Sequence, residues 1–276
     1  MNEPDFFENS EIVDQEFEAL YNRNSLLRGE LAALYEELEY LDRILIPTTQ
    51  TGYLIKIGTL RVELLQVQVS VMKIRRRIAM LRSNIERGEI VHAEALNYKI
   101  EREFREWDDR LRHEISQIEE AKARFSSLAI PDDMEEVRSI YRSLSRKFNP
   151  DVNADQSEEA KSFWPSVRAA YLWGDLFHLK ALLMMSDDYP DSYEMPNNMG
   201  EMRRNGDLLK EKIETARRKL ENLKQHPAFE WRALLDDADK LAKEQSRLRD
   251  EIDRTRLQSV ALQDMLVSLE MKGVKR

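Results

Sequence analysis

Few side chains in this sequence are of a type and spacing that could do chemistry. There are no cysteines, and the four histidines have no partner at metal-ligand spacing. The sequence contains no Ser/His/Asp or Cys/His set and no phosphate-binding glycine loop. The adjacent acids Asp187 and Asp188 fall in a predicted loop, without a partner at a known spacing. We therefore predict a protein that is not an enzyme and that holds no metal or cofactor.

One short stretch near the middle of the chain, Asn149-Pro150-Asp151, could bind a partner. Pro150 lacks a backbone N–H and cannot continue a helix, so the stretch separates two helices. Asn149 can donate and accept hydrogen bonds, and both Asn and Asp favour local turns. Two interpretations follow: a plain helix-terminating turn, or a loop that contacts another protein.

Amphipathic helices are predicted on both sides of this stretch. The first is capped by Asp132 or Asp133, and the second is capped by Asp155 or Ser157. Pro165 predicts a kink in the second helix, or its true start. Basic residues end the first helix, as the helix dipole favours. The apolar faces comprise Val137, Ile140, Tyr141, Leu144 and Phe148 in the first helix, and Phe163, Val167, Ala170 and Tyr171 in the second.

This segment, from about Phe125 to Asp175, resembles the J-domain, the co-chaperone module that recruits and stimulates seventy-kilodalton heat-shock ATPases. Leu128-Ala129-Ile130-Pro131 resembles the turn after the family's first helix, and Pro150-Asp151-Val152-Asn153 resembles its loop. The residues that resemble its second and third helices are Val137, Tyr141, Arg142, Leu144, Lys147 and Phe148, then Phe163, Val167, Ala170 and Tyr171.

The resemblance implies a partner-binding surface. In the family, a basic second-helix face and a His-Pro-Asp loop contact the ATPase. Asn149 stands where the family has its histidine, and asparagine has no imidazole ring. Trp164-Pro165 is a second departure from the family pattern. The resemblance thus implies binding with poor stimulation of the ATPase. By position, the implied partner-binding residues are Arg138, Arg142, Arg146, Lys147, Asn149, Pro150 and Asp151.

Long heptad-patterned helices are predicted around this module. After a flexible N-terminus (1–10), the first helix covers about 11–46, where Asn24 is the polar member of a leucine seam that can set the register. Pro47 predicts the end of that helix, and the short connection predicts an antiparallel return. The seam comprises Leu20, Leu27, Leu34 and Leu41, alternating with Asn24, Leu31, Leu38 and Leu45.

The second helix is predicted over 53–126, with apolar steps of three and four. We predict that it continues through Gly88 with a bend, and a hairpin at Gly88 is the alternative. The basic run from Lys73 to Arg77 is more typical of a solvated coiled-coil face than of a nucleic-acid site.

The complete prediction is an all-α fold, in which a long antiparallel coiled-coil stalk carries the J-domain-like module (127–185) between its arms. A linker (186–200) leads into a C-terminal coiled-coil arm (201–276) with a kink near Pro227. The alternatives are a more compact bundle and a parallel homodimer.

Composition narrows the class of function. Charged residues make up 34% of the chain, and the net charge of −9 disfavours general nucleic-acid binding. We expect neither a signal peptide nor a transmembrane helix, and a chain without cysteine suits the cytoplasm. The predicted partners are a heat-shock ATPase or another protein at the module, and a client or assembly partner along the coiled coil. The alternative is a purely structural scaffold whose module only caps the stalk.

Overall fold

The computed structural model describes residues 5–89, 93–125, 133–153, 156–187 and 198–274. Every regular element within these ranges is helical, which confirms the all-α class. Two short segments, Tyr40–Leu45 and Leu54–Gly58, are π-helical. The α-helices are α1 (Asp5–Glu39), α2 (Ile46–Tyr53), α3 (Thr59–Arg87), α4 (Ala93–Phe125), α5 (Met134–Phe148), α6 (Glu158–Trp173), α7 (Leu176–Ser186), α8 (Met199–Lys224), α9 (Ala228–Leu235) and α10 (Ala238–Val274).

The first helical run does not end at Pro47. The chain passes from α1 through the π-helical turn Tyr40–Leu45 into α2 without a break. In that turn the Ile46 N–H donates to the carbonyl of Leu41, five residues earlier. The wider π turn makes room for a proline ring that would meet the carbonyl four residues earlier in a regular α-helix. The predicted break at Pro47, with its antiparallel return, is therefore wrong, and the first helix begins at Asp5 rather than near residue 11.

The second predicted helix does end at Gly88. Gly88 has a φ of 68°, and its N–H and that of Glu89 close the last turn of α3 on the carbonyls of Ile85 and Asn84. Glycine adopts this left-handed conformation without the steric cost that other residues meet. The prediction of a continuous helix over 53–126 is wrong, and the hairpin alternative is the one observed.

Ion pairs across the α3–α4 hairpin show its antiparallel direction. Lys73 lies 2.7 Å from Asp108, and Arg76 lies 2.7 Å from Glu103, so rising numbers on α3 meet falling numbers on α4. These two members of the basic run Lys73–Arg77 are therefore paired with acids of a neighbouring helix. A third member, Arg77, lies 3.2 Å from Glu270. The run is an ion-paired helix face.

The chain forms two compact units. One comprises Met1–Pro47 and Ala129–Pro227, and the other comprises Thr48–Leu128 and Ala228–Arg276. α8 ends at Lys224 and α9 begins at Ala228, on either side of Pro227.

In the second unit, α3 and α10 run parallel. Glu63 of α3 lies 2.5 Å from Arg256 of α10, and Arg77 of α3 lies 3.2 Å from Glu270 of α10, so the numbers rise together on the two helices. The sequence predicts that the second helix pairs antiparallel with the C-terminal arm, but these contacts show a parallel pairing. The hairpin at Gly88 already supplies an antiparallel neighbour, α4, and α10 joins α3 in the same direction.

In the first unit, α1 and α8 also run parallel. Lys224 lies 2.8 Å from Glu37, and further ion pairs at lower numbers join Arg217 to Glu30 and Arg203 to Glu16. The leucine seam of α1 packs here, with Leu31 buried and Leu27, Leu34 and Leu38 partly buried, and the seam's polar member, Asn24, is 1% exposed. The Asn24 amide donates to the carbonyl of Met202 at 2.8 Å, so the polar residue has a specific partner on α8. The core of this contact comprises Leu31, Ala32, Leu209, Ile213, Ala216 and Val152.

The three helices α5, α6 and α7 pack around a second core in the same unit. Its largest buried side chains are aromatic, and Tyr141 and Tyr171 stack with ring centroids 3.9 Å apart. α6 begins at Glu158, capped by the Ser157 hydroxyl, and Pro165 lies inside it, so a helix start at Pro165 is ruled out. The predicted turn (128–131), Asp132, Asp155 and linker residues 188–197 lie outside the described residues. The core comprises Ile44, Val137, Ile140, Tyr141, Leu144, Phe148, Ala160, Val167, Ala170, Tyr171, Leu179 and Leu182.

Candidate functional site

The loop between α5 and α6 is built around a buried asparagine. Asn149 ends α5 and is 5% exposed. Its Oδ1 accepts the backbone N–H of Asp151 at 2.9 Å, and its Nδ2 donates to the Ser145 hydroxyl at 3.3 Å. This is the local turn that the first interpretation of the sequence predicted, because an Asx side chain replaces a backbone hydrogen bond. Pro150 is half-buried and Asp151 is exposed.

Other side chains hold the loop in place by donating hydrogen bonds to backbone carbonyls. The Asn153 amide donates to the carbonyl of Lys147 at 3.1 Å, and the Gln156 amide donates to the carbonyl of Phe148 at 2.9 Å. These carbonyls belong to the last turn of α5, where no intrahelical donor follows. From α8, Lys212 donates to the carbonyl of Asp151 at 2.7 Å. The loop is thus fixed at several points within its own unit.

Arg138, the first of the predicted partner-binding bases, forms an ion pair with α1. Its guanidinium meets Glu36 through two hydrogen bonds, 2.5 Å from Nε to Oε1 and 3.1 Å from Nη2 to Oε2. Glu36 is 1% exposed and also accepts the Tyr171 hydroxyl at 3.1 Å. The hydrogen bond to Glu36 raises the pKa of Arg138, and the guanidinium lies 4.1 Å from the ring centre of Tyr40. The guanidinium of Arg138 therefore makes its contacts within its own unit.

The other predicted bases differ in their surroundings. Arg146 donates to the hydroxyl of Ser25 on α1 at 2.6 Å, and Lys147 donates to the carbonyl of Ser186 at 2.5 Å. Arg142 is exposed and makes no hydrogen bond or ion pair among the described residues. All seven predicted site residues lie on α5 and on the loop that joins it to α6, which together form the α5–α6 hairpin, but only some of them face outwards.

A cleft of about 540 Å³ opens beside the loop. Asn149 and Asp151 line it together with aromatic side chains of α5 and α6, Tyr141 and Trp164. Burial raises the pKa of Tyr141, so this phenol stays neutral well beyond its ordinary range. Arg168, which also lines the cleft, pairs with Glu39 at 2.9 Å. The cleft combines stacking surfaces with both signs of charge.

Sequence reasoning missed the residues of α1 that accept hydrogen bonds from the bases of α5. Glu36 and Ser25 lie on α1, more than a hundred positions before the bases that they bind. Both are ordinary polar residues of a heptad-patterned helix, so no local signal marked them. In the described part of the chain, no group of three or more His, Asp or Glu side chains is placed to hold a metal ion. No helix in the described ranges is long and apolar enough to cross a membrane.

Comparison of the sequence with protein-family models, with curated proteins and with solved structures gave no match. The resemblance to the J-domain therefore depends on the sequence pattern of residues 125–175 alone.

Proposed function

We propose that the chain is a non-catalytic, J-domain-like interaction protein. Its docking surface would be the exposed side of the α5–α6 hairpin, at Arg142, Pro150 and Asp151. Supporting this, the apolar residues that resemble the family pattern form one core, with Tyr141 stacked on Tyr171. The observation that carries the proposal is Arg142, an exposed cation with no partner among the described residues, on the helix face where the family binds.

The proposed partner is a heat-shock ATPase that the hairpin binds weakly and stimulates poorly. Arg138 and Arg146 contact α1, so fewer bases face a partner than the resemblance implies. Asn149 supplies no imidazole ring, and its amide is committed to the turn. A client or assembly partner would bind along the long helices. We place this activity in the cytoplasm because a chain without cysteine suits a reducing compartment.

Asn149→His tests the proposed activity. A histidine Nδ1 can take over the hydrogen bond from the Asp151 N–H, and the ring has space in the neighbouring cleft of about 540 Å³. We expect the wild-type chain to bind a seventy-kilodalton heat-shock protein with little stimulation, and the variant to raise the steady-state ATPase rate several-fold. If neither protein binds or stimulates the ATPase, the co-chaperone proposal fails.

Arg142→Glu tests the docking surface. Reversing an exposed charge at an interface rim should weaken the pull-down of the ATPase about tenfold, which corresponds to about 1.4 kcal/mol. Arg218→Glu is the matched control, because Arg218 is an exposed arginine on α8 of the same unit. Equal binding by both variants would show that Arg142 is not part of the docking surface.

A second candidate function is a structural scaffold in which the hairpin only completes the packing of its unit. The observation that favours it is that Arg138, Arg146 and Lys147 all bind groups of their own unit. Under this function, Arg142→Glu leaves every pull-down unchanged, while substitutions at Arg138 lower the stability of the fold.

A further inference from the structure

A second cavity lies on the other side of the α5 C-terminus, within the first compact unit. It has a volume of about 420 Å³ and is lined by residues of α1, α5 and α7 and by Asn153 of the loop. This volume falls in the range of small-molecule sites, about 300–1,000 Å³. Arg146 and Lys147, two of the partner-binding residues predicted from the sequence, line this cavity, but the docking surface proposed above at Arg142, Pro150 and Asp151 does not include it.

The lining of this cavity is strongly basic. Three cations line it, namely Arg28, Arg146 and Lys147, and none of the described lining residues is an acid. The hydroxyls of Ser25 and Ser143 add donors. The whole chain carries a net charge of −9, so this concentration of positive charge runs against the average of the molecule. Such a lining favours an anionic ligand.

The partner of Arg146 sets it apart from other arginines of the unit that reach across to another helix. Arg138 and Arg168 each pair with a carboxylate of α1. Arg146 instead donates to the neutral Ser25 hydroxyl at 2.6 Å. A guanidinium has five donors in a planar fork, so a single hydroxyl leaves most of its capacity for a ligand.

A buried acceptor adds a second requirement. Asn153 is 7% exposed, and its Nδ2 donates to the carbonyl of Lys147 at 3.1 Å. Its Oδ1 is buried and makes no hydrogen bond within the described part of the chain. A buried oxygen without a donor costs about 1–3 kcal/mol, so such an atom needs an explanation. Asn153 lines the cavity, so a ligand hydroxyl group would satisfy its Oδ1 once the amide turns towards the ligand.

We propose that this cavity binds a small phosphate-bearing molecule that also carries hydroxyl groups, in the class of sugar phosphates. Arg28 and Arg146 would bind phosphate oxygens through charge-assisted hydrogen bonds, and Lys147 would act as a compact positive charge. The Asn153 Oδ1 would accept a hydrogen bond from a ligand hydroxyl. The site is independent of the docking function, because it depends only on the cavity and its lining.

Isothermal titration calorimetry on the full chain tests the site. The probes are ribose 5-phosphate, inorganic phosphate and uncharged ribose, each at 150 mM and 500 mM salt. We expect ribose 5-phosphate to bind more tightly than phosphate, and ribose not to bind. Arg146→Gln should weaken binding at least tenfold. The matched control is Arg142→Gln, four residues earlier on the same helix and outside the cavity lining, which should leave the affinity unchanged.

A second variant keeps the test decisive if Arg146→Gln is poorly folded. Ser143→Asp places a carboxylate in the cavity lining, so it should abolish probe binding and raise the melting temperature of the ligand-free chain. The proposal is overturned if no probe binds at millimolar concentration, or if Arg142→Gln weakens binding as much as Arg146→Gln. It is equally overturned if Ser143→Asp binds ribose 5-phosphate like the wild type.

Discussion

Replacing Arg138 by methionine should destabilise the first unit far more than an equivalent change at a neighbouring ion pair. The change keeps an unbranched side chain but removes the cation beside Glu36, whose side chain is 1% exposed. The carboxylate then keeps the Tyr171 hydroxyl as a donor at 3.1 Å but loses both bonds from Arg138. Breaking a buried pair from one side costs about 3–5 kcal/mol, because the remaining charge cannot recover its hydration.

Arg168→Met is the matched control. Arg168 also pairs with a glutamate of α1, Glu39, but its side chain is 46% exposed and that of the acid is 17% exposed. An ion pair this open to water contributes about 0–1 kcal/mol. Urea denaturation at neutral pH, followed by circular dichroism and by hydrogen exchange of the α5 amides, measures both variants.

Removing both partners separates the charge effect from lost packing. Glu36→Leu combined with Arg138→Met leaves no buried charge, so the double variant should be more stable than Arg138→Met alone. The Tyr171 hydroxyl then lacks its acceptor, which keeps a residual cost of about 1–3 kcal/mol. The reasoning is refuted if the two arginine variants lose equal stability, or if the double variant is the least stable of the three.

Two further predictions address the packing of α1 and the buried tyrosines. At Gly206 an added Cβ would lie 2.6 Å from the buried Asn24 Oδ1, so Gly206→Ala should lower the free energy of unfolding by about 1–3 kcal/mol, measured by thermal or urea unfolding. Gly29→Ala is the control: an added Cβ at Gly29 has no neighbour within 4 Å, so this variant should be more stable by about 0.5–1 kcal/mol. Equal effects of the two substitutions would contradict the contact at Gly206. Burial raises the folded-state pKa of Tyr171 above its ordinary value of 10.0, so stability is retained below that pH and falls above it as the unfolded phenol ionises. Tyr171→Phe should flatten this fall by up to about 1.4 kcal/mol per pH unit in urea titrations from pH 8 to 12, and an unchanged slope would refute the assignment.

The residues of the α5–α6 hairpin show which features of the fold could be predicted from local sequence. The apolar spacing in α5 and α6 marked the side chains that form their common core, because helical periodicity places such residues on one face. Asn149 and Pro150 marked the turn between them, since one favours a local hydrogen bond and the other cannot continue a helix. These are effects of single residues on the backbone nearby.

Pro47 and Gly88 show where local rules misled. Proline usually ends a helix, yet the π-helical turn Tyr40–Leu45 accommodates Pro47 in a continuing run. A single glycine can be tolerated inside a helix, yet Gly88 adopts a left-handed conformation and reverses the chain. In both cases packing elsewhere decides between two backbone conformations that differ by about a few kcal/mol.

The sequence by itself determined that the chain is helical and which faces of its helices are buried, because these depend on residue type and spacing of three and four. Only the tertiary structure decided that α3 runs parallel to α10, since a heptad seam specifies a face and not the direction of its partner. The tertiary structure also decided the role of each base on α5. Charge is visible in the sequence, but the group that meets it is not: Arg138 binds a buried glutamate of α1, Arg146 faces a cavity and Arg142 faces solvent.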